Sequence, residues 1–275
     1  MTQLEPITGH YVDIDGTRTF FDECGEGTPF LCVHTAQADS REYRYVLPLL
    51  AAHGFRAIAM DLPGHSRSNA INWEPTRSIH VQAEFVHRFG QVVCPGEKPV
   101  VTGMSIGGDI CFDLAANRSA EYLAIIPQEG AAWTPSFPDP AEAEEPSWAL
   151  SWTLACEEAS TSSLPPQVGE FKRKELAWMH RAPQQAGSGD LQGWARHDVR
   201  GKLGNLKCPL LIVNGGADFY VPIELNQLSM AEMGDMAELH DIPNVGHYPM
   251  FEEPEQMTAL VVDFLKRRNV PYGKA

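Results

Sequence analysis

The run Lys98-Pro-Val-Val-Thr102 leads straight into Gly103-Met-Ser-Ile-Gly-Gly108, and a helix-forming stretch to about Asn117 follows at once. A strand, a turn and a helix with no linker between them leave little freedom. The turn has to be so tight that the positions flanking Ser105 must be small, as Gly103 and Gly107 are, and Gly108 lets the helix press against the sheet. Such a turn lifts the Ser105 hydroxyl clear of the sheet. It also aims the unpaired N–H groups of the helix N-terminus at whatever lies beside it.

The rest of the chain supplies the sheet that this unit needs. Residues 10–14 and 18–23 read as strands joined by Asp15-Gly16, and 29–34 as a continuous apolar strand of the buried type. A helix should follow, capped by Asp39 with Glu42 completing a capping box, and should stop at Gly54. Further strands are expected at 55–60, 98–102, 122–126, 209–213 and 237–242, with helices at about 76–91, 222–233 and 254–268. Eight strands alternating with helices predict an α/β fold with a mostly parallel sheet.

Residues 132–206 break that rhythm. They open with a proline- and acid-rich stretch, 135–146, give helical patches near 148–159 and 167–181, and close on the Gly/Gln-rich stretch 184–189. Trp133, Trp148, Trp152, Trp178 and Trp194, five of the six tryptophans, lie here. The expected organisation is one core domain, 1–131 and 207–275, interrupted by a helical cap at 132–206. Most of these rings should pack the cap itself, with Trp133, Trp152 and Trp178 as candidates for a ligand wall.

Composition narrows the function. With 36 acidic and 21 basic side chains the net charge is −15, which disfavours nucleic acid and anionic membrane surfaces as partners. No stretch approaches the ~18 apolar residues of a spanning helix, and no basic region leads into an apolar run at the N-terminus, so neither a membrane span nor a signal peptide is expected. Cys24, Cys32, Cys94, Cys111, Cys156 and Cys208 are widely and irregularly spaced and are expected to be reduced, in a cytoplasmic protein, rather than to form a disulfide framework. No metal-ligand spacing and no phosphate-binding glycine motif is present, so no metal and no cofactor is expected.

A serine hydroxyl is a poor nucleophile until a base removes its proton. His247, in a loop between a strand and the last helix, is the candidate base, and Asp218, in the tight Gly-Gly exit from strand 209–213, the candidate acid that orients it. Glu129, after strand 122–126, is the rival acid. Backbone N–H groups of Ile106 and of Ala36 or Thr35 are the expected oxyanion donors. His34, Met104, Glu129, Tyr220 and Tyr248 are further candidates for substrate contact, with His65 in a neighbouring loop. Arg41 could meet an anionic group at the entrance, although a solvated helix start is the favoured reading. Asp109, on the helix after Ser105, reads as a structural hydrogen-bond acceptor.

The chain order Ser105, Asp218, His247, the turn Gly103–Gly108 and the loop Asp61-Leu-Pro-Gly-His-Ser-Arg-Ser68 resemble the α/β-hydrolase superfamily over nearly the whole length. The resemblance implies an eight-stranded sheet with a cap at 132–206 and a serine hydrolase acting on an ester or lactone of a small to medium apolar or aromatic molecule. Carbon–carbon hydrolysis of ring-cleavage products and a hydrolase-fold receptor with little turnover are the alternatives. A small-molecule substrate is the expected partner, and a monomer or homodimer the expected state. One departure stands out. Relatives carry His-Gly-x-Pro after the third strand, whereas this chain has His34-Thr-Ala-Gln37.

Overall fold

The computed structural model describes residues 6–135 and 152–273, with the side chains of 152–154 outside the description. Eight strands form one sheet: β1 (Thr8–Ile14), β2 (Thr17–Cys24), β3 (Thr28–Val33), β4 (Phe55–Met60), β5 (Val100–Met104), β6 (Ala124–Gln128), β7 (Leu210–Gly215) and β8 (Ala237–Ile242). Their order is β1-β2-β4-β3-β5-β6-β7-β8. β1 and β2 pair antiparallel, as do β2 and β4, and every later pairing is parallel.

The central strands are apolar on both faces because helices cover both. Successive side chains of a strand point to opposite faces. Accordingly Leu31, Val33, Ile58, Met60 and Val101 join one core, while Phe30, Cys32, Ala57, Ala59 and Val100 join the other. α2 (Ile79–Val93) and α3 (Ile106–Arg118) cover the first face. α1 (Val46–Ala52) and α9 (Pro254–Arg267) cover the second, α9 through Met257, Val261, Val262, Phe264 and Leu265. α3 is buried from Ile106 to Ala115, so it has almost no polar face to offer water. The six cysteines are buried and unpaired. Among the described residues no helix is long and apolar enough to cross a membrane.

Residues 129–209 leave the sheet between β6 and β7 and carry α4 (Trp152–Ser162), α5 (Glu170–Met179) and α6 (Gln184–Ala195). The two ends of this insertion run side by side. Trp133 bridges Asp198, Val199 N–H donates to Ala132 O at 2.8 Å, and Thr134 N–H donates to His197 O at 3.0 Å. α7 (Ile223–Met233) and the short α8 (Pro249–Glu252) complete the chain.

One local expectation is corrected. Asp39 caps a single 3-10 turn, Ser40–Tyr43, and α1 begins only at Val46; no capping box forms, because Glu42 turns back to accept the Thr35 N–H at 2.9 Å. The Gly/Gln-rich stretch 184–189 is the first half of α6. Its glycines serve contact: a Cβ on Gly189 would sit 2.4 Å from Thr76 O, so only a bare helix face can lie this close to the chain entering α2.

Candidate active site

Ser105 stands between β5 and α3 with φ 55° and ψ −117°, a conformation that non-glycine residues rarely adopt. The turn closes so tightly that a Cβ on Gly103 would lie 2.1 Å from Gly107 O, and one on Gly107 would lie 2.4 Å from Val33 O. Ser105 N–H donates to Gln128 O at 2.9 Å, which pins the turn to the end of β6. Backbone strain here is held by neighbours on both sides.

The loops after β7 and β8 meet beside this turn, tied by Ala217 N–H donating to Val245 O at 2.8 Å. Asp218 accepts from His247 Nδ1 at 2.8 Å, from Tyr220 N–H at 2.9 Å and from Val221 N–H at 3.2 Å. Burial works against the Asp218 charge. The His247 charge and hydrogen bond, the Glu129 carboxyl and the Tyr220 N–H outweigh it and hold Asp218 below the usual carboxylate range. His247 is bracketed in turn by Glu252, which accepts from Gly246 N–H at 2.9 Å and from Tyr248 N–H at 3.0 Å.

Glu129 is wholly buried behind Asp218, not on the cavity wall as a substrate contact. One oxygen accepts the Gly215 N–H, and the other has no hydrogen-bond partner among the described residues; the Asp218 carboxylate lies near enough to act on the group. Burial first, then the Asp218 charge, push the Glu129 pKa well above its ordinary value. Of the two carboxyls, Glu129 is therefore the one biased toward its protonated form and Asp218 the one biased toward its charge. His247 Nδ1 and one oxygen from each acid lie within 4.8 Å of one another, a grouping that could hold a cation. Hydrogen bonds already account for the His247 and Asp218 atoms in it.

The Glu129 proton has a measurable consequence. In the unfolded chain the carboxyl ionises above about its ordinary 4.5; in the fold it stays neutral to much higher pH. Its contribution to stability is complete below 4.5 and is lost as pH rises toward the folded pKa. Glu129→Gln has no proton to lose. The melting temperature of Glu129→Gln relative to wild type should therefore climb as pH is raised from 5 to 8, read by circular dichroism. A difference that stays flat with pH contradicts a protonated Glu129.

Ser105 and His247 open onto one cavity of about 310 Å³. It is lined by Thr35, Ala36, Gln37 and Ile106 from the core, by Tyr220, Val221 and Tyr248 from the loops after β7 and β8, and by α4, His180, Leu191 and Trp194 from the insertion. His180 Nδ1 donates to Leu176 O at 3.0 Å, leaving Nε2 to accept the Tyr248 hydroxyl at 3.1 Å, and burial lowers the His180 pKa to about 4, so the ring is neutral. Lysine and arginine are absent from this lining among the described residues. Arg41 is instead clamped on Asp39, with Nε 2.8 Å from one of its carboxylate oxygens.

The oxyanion donors divide unevenly. Ile106 is the first residue of α3, so its N–H has no intrahelical acceptor. Thr35 N–H is spent on Glu42. Ala36 N–H makes no hydrogen bond among the described residues and Ala36 lines the cavity, so of the two alternatives it is the one available.

Several expected contacts lie elsewhere. His34 is fully buried, with Nδ1 donating to Thr35 O at 2.7 Å and Nε2 accepting Leu62 N–H at 2.9 Å, which makes it a brace for the loop. Met104 is in the core under the sheet. Trp133 packs on the other core with Arg200 over its ring, and Trp178 is 63% exposed under Arg181. The Trp152 side chain lies outside the described residues, as do Trp148 and the acid-rich stretch beyond residue 135. His65 is buried against Asp190 rather than at the cavity. Asp109 accepts Ala131 N–H at 2.8 Å, a structural bond. Sequence reasoning missed Trp194 as a wall and Glu252 as a brace. A glutamate four residues past a loop tyrosine carries no recognisable signal for the latter.

A sequence profile described as "Alpha/beta hydrolase family" matches residues 30–260. Among curated proteins, the chain is 28% identical over 267 residues to a pimeloyl-[acyl-carrier protein] methyl ester esterase of Nitrosospira multiformis, covering 90% of this chain and 98% of that one. It is 27% identical over 298 residues to a 2-hydroxy-6-oxo-6-phenylhexa-2,4-dienoate hydrolase of Burkholderia cepacia, covering 96% and 99%. A solved thermophilic esterase from Thermogutta terrifontis superposes with a TM-score of 0.82 at 22% identity, covering 94% of this chain and 98% of that one.

Proposed function

The chain belongs to the alpha/beta hydrolase family, and on that premise we propose that it is a serine hydrolase of uncharged carboxylic esters or lactones. The observation that carries the reading is the strained Ser105 turn opening onto the same cavity as His247, whose far nitrogen is held by Asp218. Ser105 Oγ attacks the substrate carbonyl as His247 Nε2 takes its proton. Asp218 fixes the tautomer that leaves Nε2 free to do so and stabilises the imidazolium formed. The N–H groups of Ile106 and Ala36 receive the charge that develops on the carbonyl oxygen. His247 then protonates the leaving oxygen, and water activated by the same histidine cleaves the acyl-enzyme. Residues 132–206 act as the cap that keeps bulk water from this exchange.

The cavity lining supports the ester or lactone reading over the dienoate named for one relative. A dienoate carries a carboxylate, and burying an unpaired charge costs several kcal/mol. Neither a lysine nor an arginine of the described lining is there to meet it, while Ala155, Cys156, Ala159, Leu191 and Trp194 offer apolar contact. This lining favours an uncharged acyl or aryl group over an anion. A turnover panel of p-nitrophenyl butyrate, an uncharged γ-lactone and a phenyl dienoate tests this, each against Ser105→Ala. The expected result is turnover of the ester or lactone and background rates on the dienoate. Turnover of the dienoate alone overturns the assignment in favour of carbon–carbon hydrolysis.

A further inference from the structure

Three separate stretches of the core converge on one side chain of the insertion. Asp190, on α6, is 1% exposed, and its carboxylate accepts from Gln37 N–H at 3.1 Å, from His65 Nε2 at 2.8 Å and from Gln82 Nε2 at 2.8 Å. His65 is an imidazolium by geometry. Its Nε2 faces the carboxylate and its Nδ1 lies 3.1 Å from Pro63 O; both neighbours only accept, so both ring nitrogens carry hydrogen. Burial opposes that charge, but Asp190, Pro63 O and Asp61 together hold the His65 pKa above the ordinary histidine value. A buried ion pair is weak as a source of net stability. What this one has is direction, because one of its three donors is the backbone of the cavity lining.

Gln37 is a strained link. Its φ of 66° lies in the left-handed region, where a side chain persists only if the surroundings over-determine it. Both ends of its backbone are held by the insertion: N–H by Asp190, and C=O by Ala182 N–H at 3.1 Å. On the other side Thr35 N–H is held by Glu42. Ala36 sits between these two clamps with its own N–H unengaged among the described residues. A proline at position 37 could not adopt this conformation, since its ring fixes φ at about −65°.

We propose that Asp190 is a positioning residue: from the insertion it sets the backbone of residues 35–37 so that Ala36 N–H points at the oxyanion forming beside Ser105. The proposal rests on the serine-hydrolase reading. It makes the insertion more than a cover. One half of the oxyanion site takes its shape from α6 through the Gln37 backbone.

The test compares Asp190→Ala and Asp190→Asn with wild type on p-nitrophenyl butyrate. Binding of an aryl trifluoromethyl ketone, which adds Ser105 and holds an oxyanion in the same place, is measured alongside. Asp190→Ala should lower kcat by about 100-fold, the scale of losing one oxyanion donor, with KM changed by less than about threefold. Its affinity for the ketone should weaken in the same proportion as kcat/KM. Asp190→Asn should recover most of the loss: its amide oxygen can still accept Gln37 N–H, and Gln82, whose Oε1 has no partner, can turn over to accept from the new amide. Asp190→Ser, too short to reach Gln37, replaces Asp190→Ala if the latter does not fold. A truncation that melts lower yet keeps kcat and ketone affinity overturns the positioning role and leaves a structural one. Wild-type protein that turns over no ester overturns the serine-hydrolase reading itself, a distinct result.

Discussion

Ser105→Ala should lower kcat on a neutral aryl ester by about 10⁴-fold or more, the scale on which serine hydrolases respond to loss of the nucleophile. The same variant should melt within about 3 °C of wild type. The two halves of that expectation have different origins. The unusual φ and ψ at position 105 are imposed by backbone contacts with Gln128, Gly107 and Val33. Alanine inherits them unchanged, and no other hydrogen bond of the fold depends on the Ser105 hydroxyl among the described residues. On the proposed mechanism the hydroxyl forms the acyl-enzyme, while among the described residues nothing in the fold requires it. A large loss of melting temperature would show that the hydroxyl braces the turn, and unchanged kcat would remove Ser105 from the chemistry.

Asp218→Asn should lower kcat by about 10²- to 10⁴-fold, with KM nearly unchanged. Both oxygens of Asp218 are occupied as acceptors, one by Tyr220 N–H and the other by Val221 N–H and His247 Nδ1. An amide supplies one acceptor and one donor. With its NH₂ at the oxygen now shared by Val221 N–H and His247 Nδ1, the amide meets the imidazole as a donor and draws its proton to Nε2, where it blocks transfer from Ser105. With its NH₂ at the other oxygen, it meets Tyr220 N–H donor to donor, and the loop that carries Tyr220 into the cavity loses its tie. The first orientation disables the histidine directly, and the second loosens the loop that holds it. Because the native Asp218 is held below the usual carboxylate range, wild-type protein should keep this acid ionised well below pH 5. Proton NMR provides the parallel readout: the downfield imidazole N–H signal of wild type should vanish in Asp218→Asn. Wild-type-like kcat in this variant would move the orienting role to Glu129.

The parts of this arrangement that sequence revealed are those written in neighbouring residues. The Ser105 turn was legible because small residues at 103 and 107, an apolar run before and a helix after, all lie within one short stretch. Asp218 and His247 were legible because each follows a strand at a glycine-marked exit. The buried strands β3 to β7 were legible from unbroken apolar runs. What was hidden depends on contacts across the chain. Glu42 looked like a helix-cap partner, since that role is local, yet its carboxylate is drawn to the stranded Thr35 N–H. Residues 184–189 gave no helix expectation because glycine weakens helices, and the approach of Gly189 to Thr76 accounts for a glycine there. Glu129 could be placed near the acid but not assigned a proton, which comes from burial and from Asp218. Trp178, a plausible wall from its residue type, faces solvent, while Trp194 on the next helix reaches the cavity. Which face a helix presents is decided by the partner it packs on.

The central claim is that Ser105 is a nucleophile activated by His247. Intact-protein mass spectrometry after exposure to an alkyl fluorophosphonate tests it without knowledge of the substrate. Wild-type protein should gain a single phosphonyl adduct, located by peptide mapping at Ser105, and Ser105→Ala and His247→Ala should gain none on the same timescale. Folded wild-type protein that stays unlabelled, or that carries the adduct on another residue, contradicts the account.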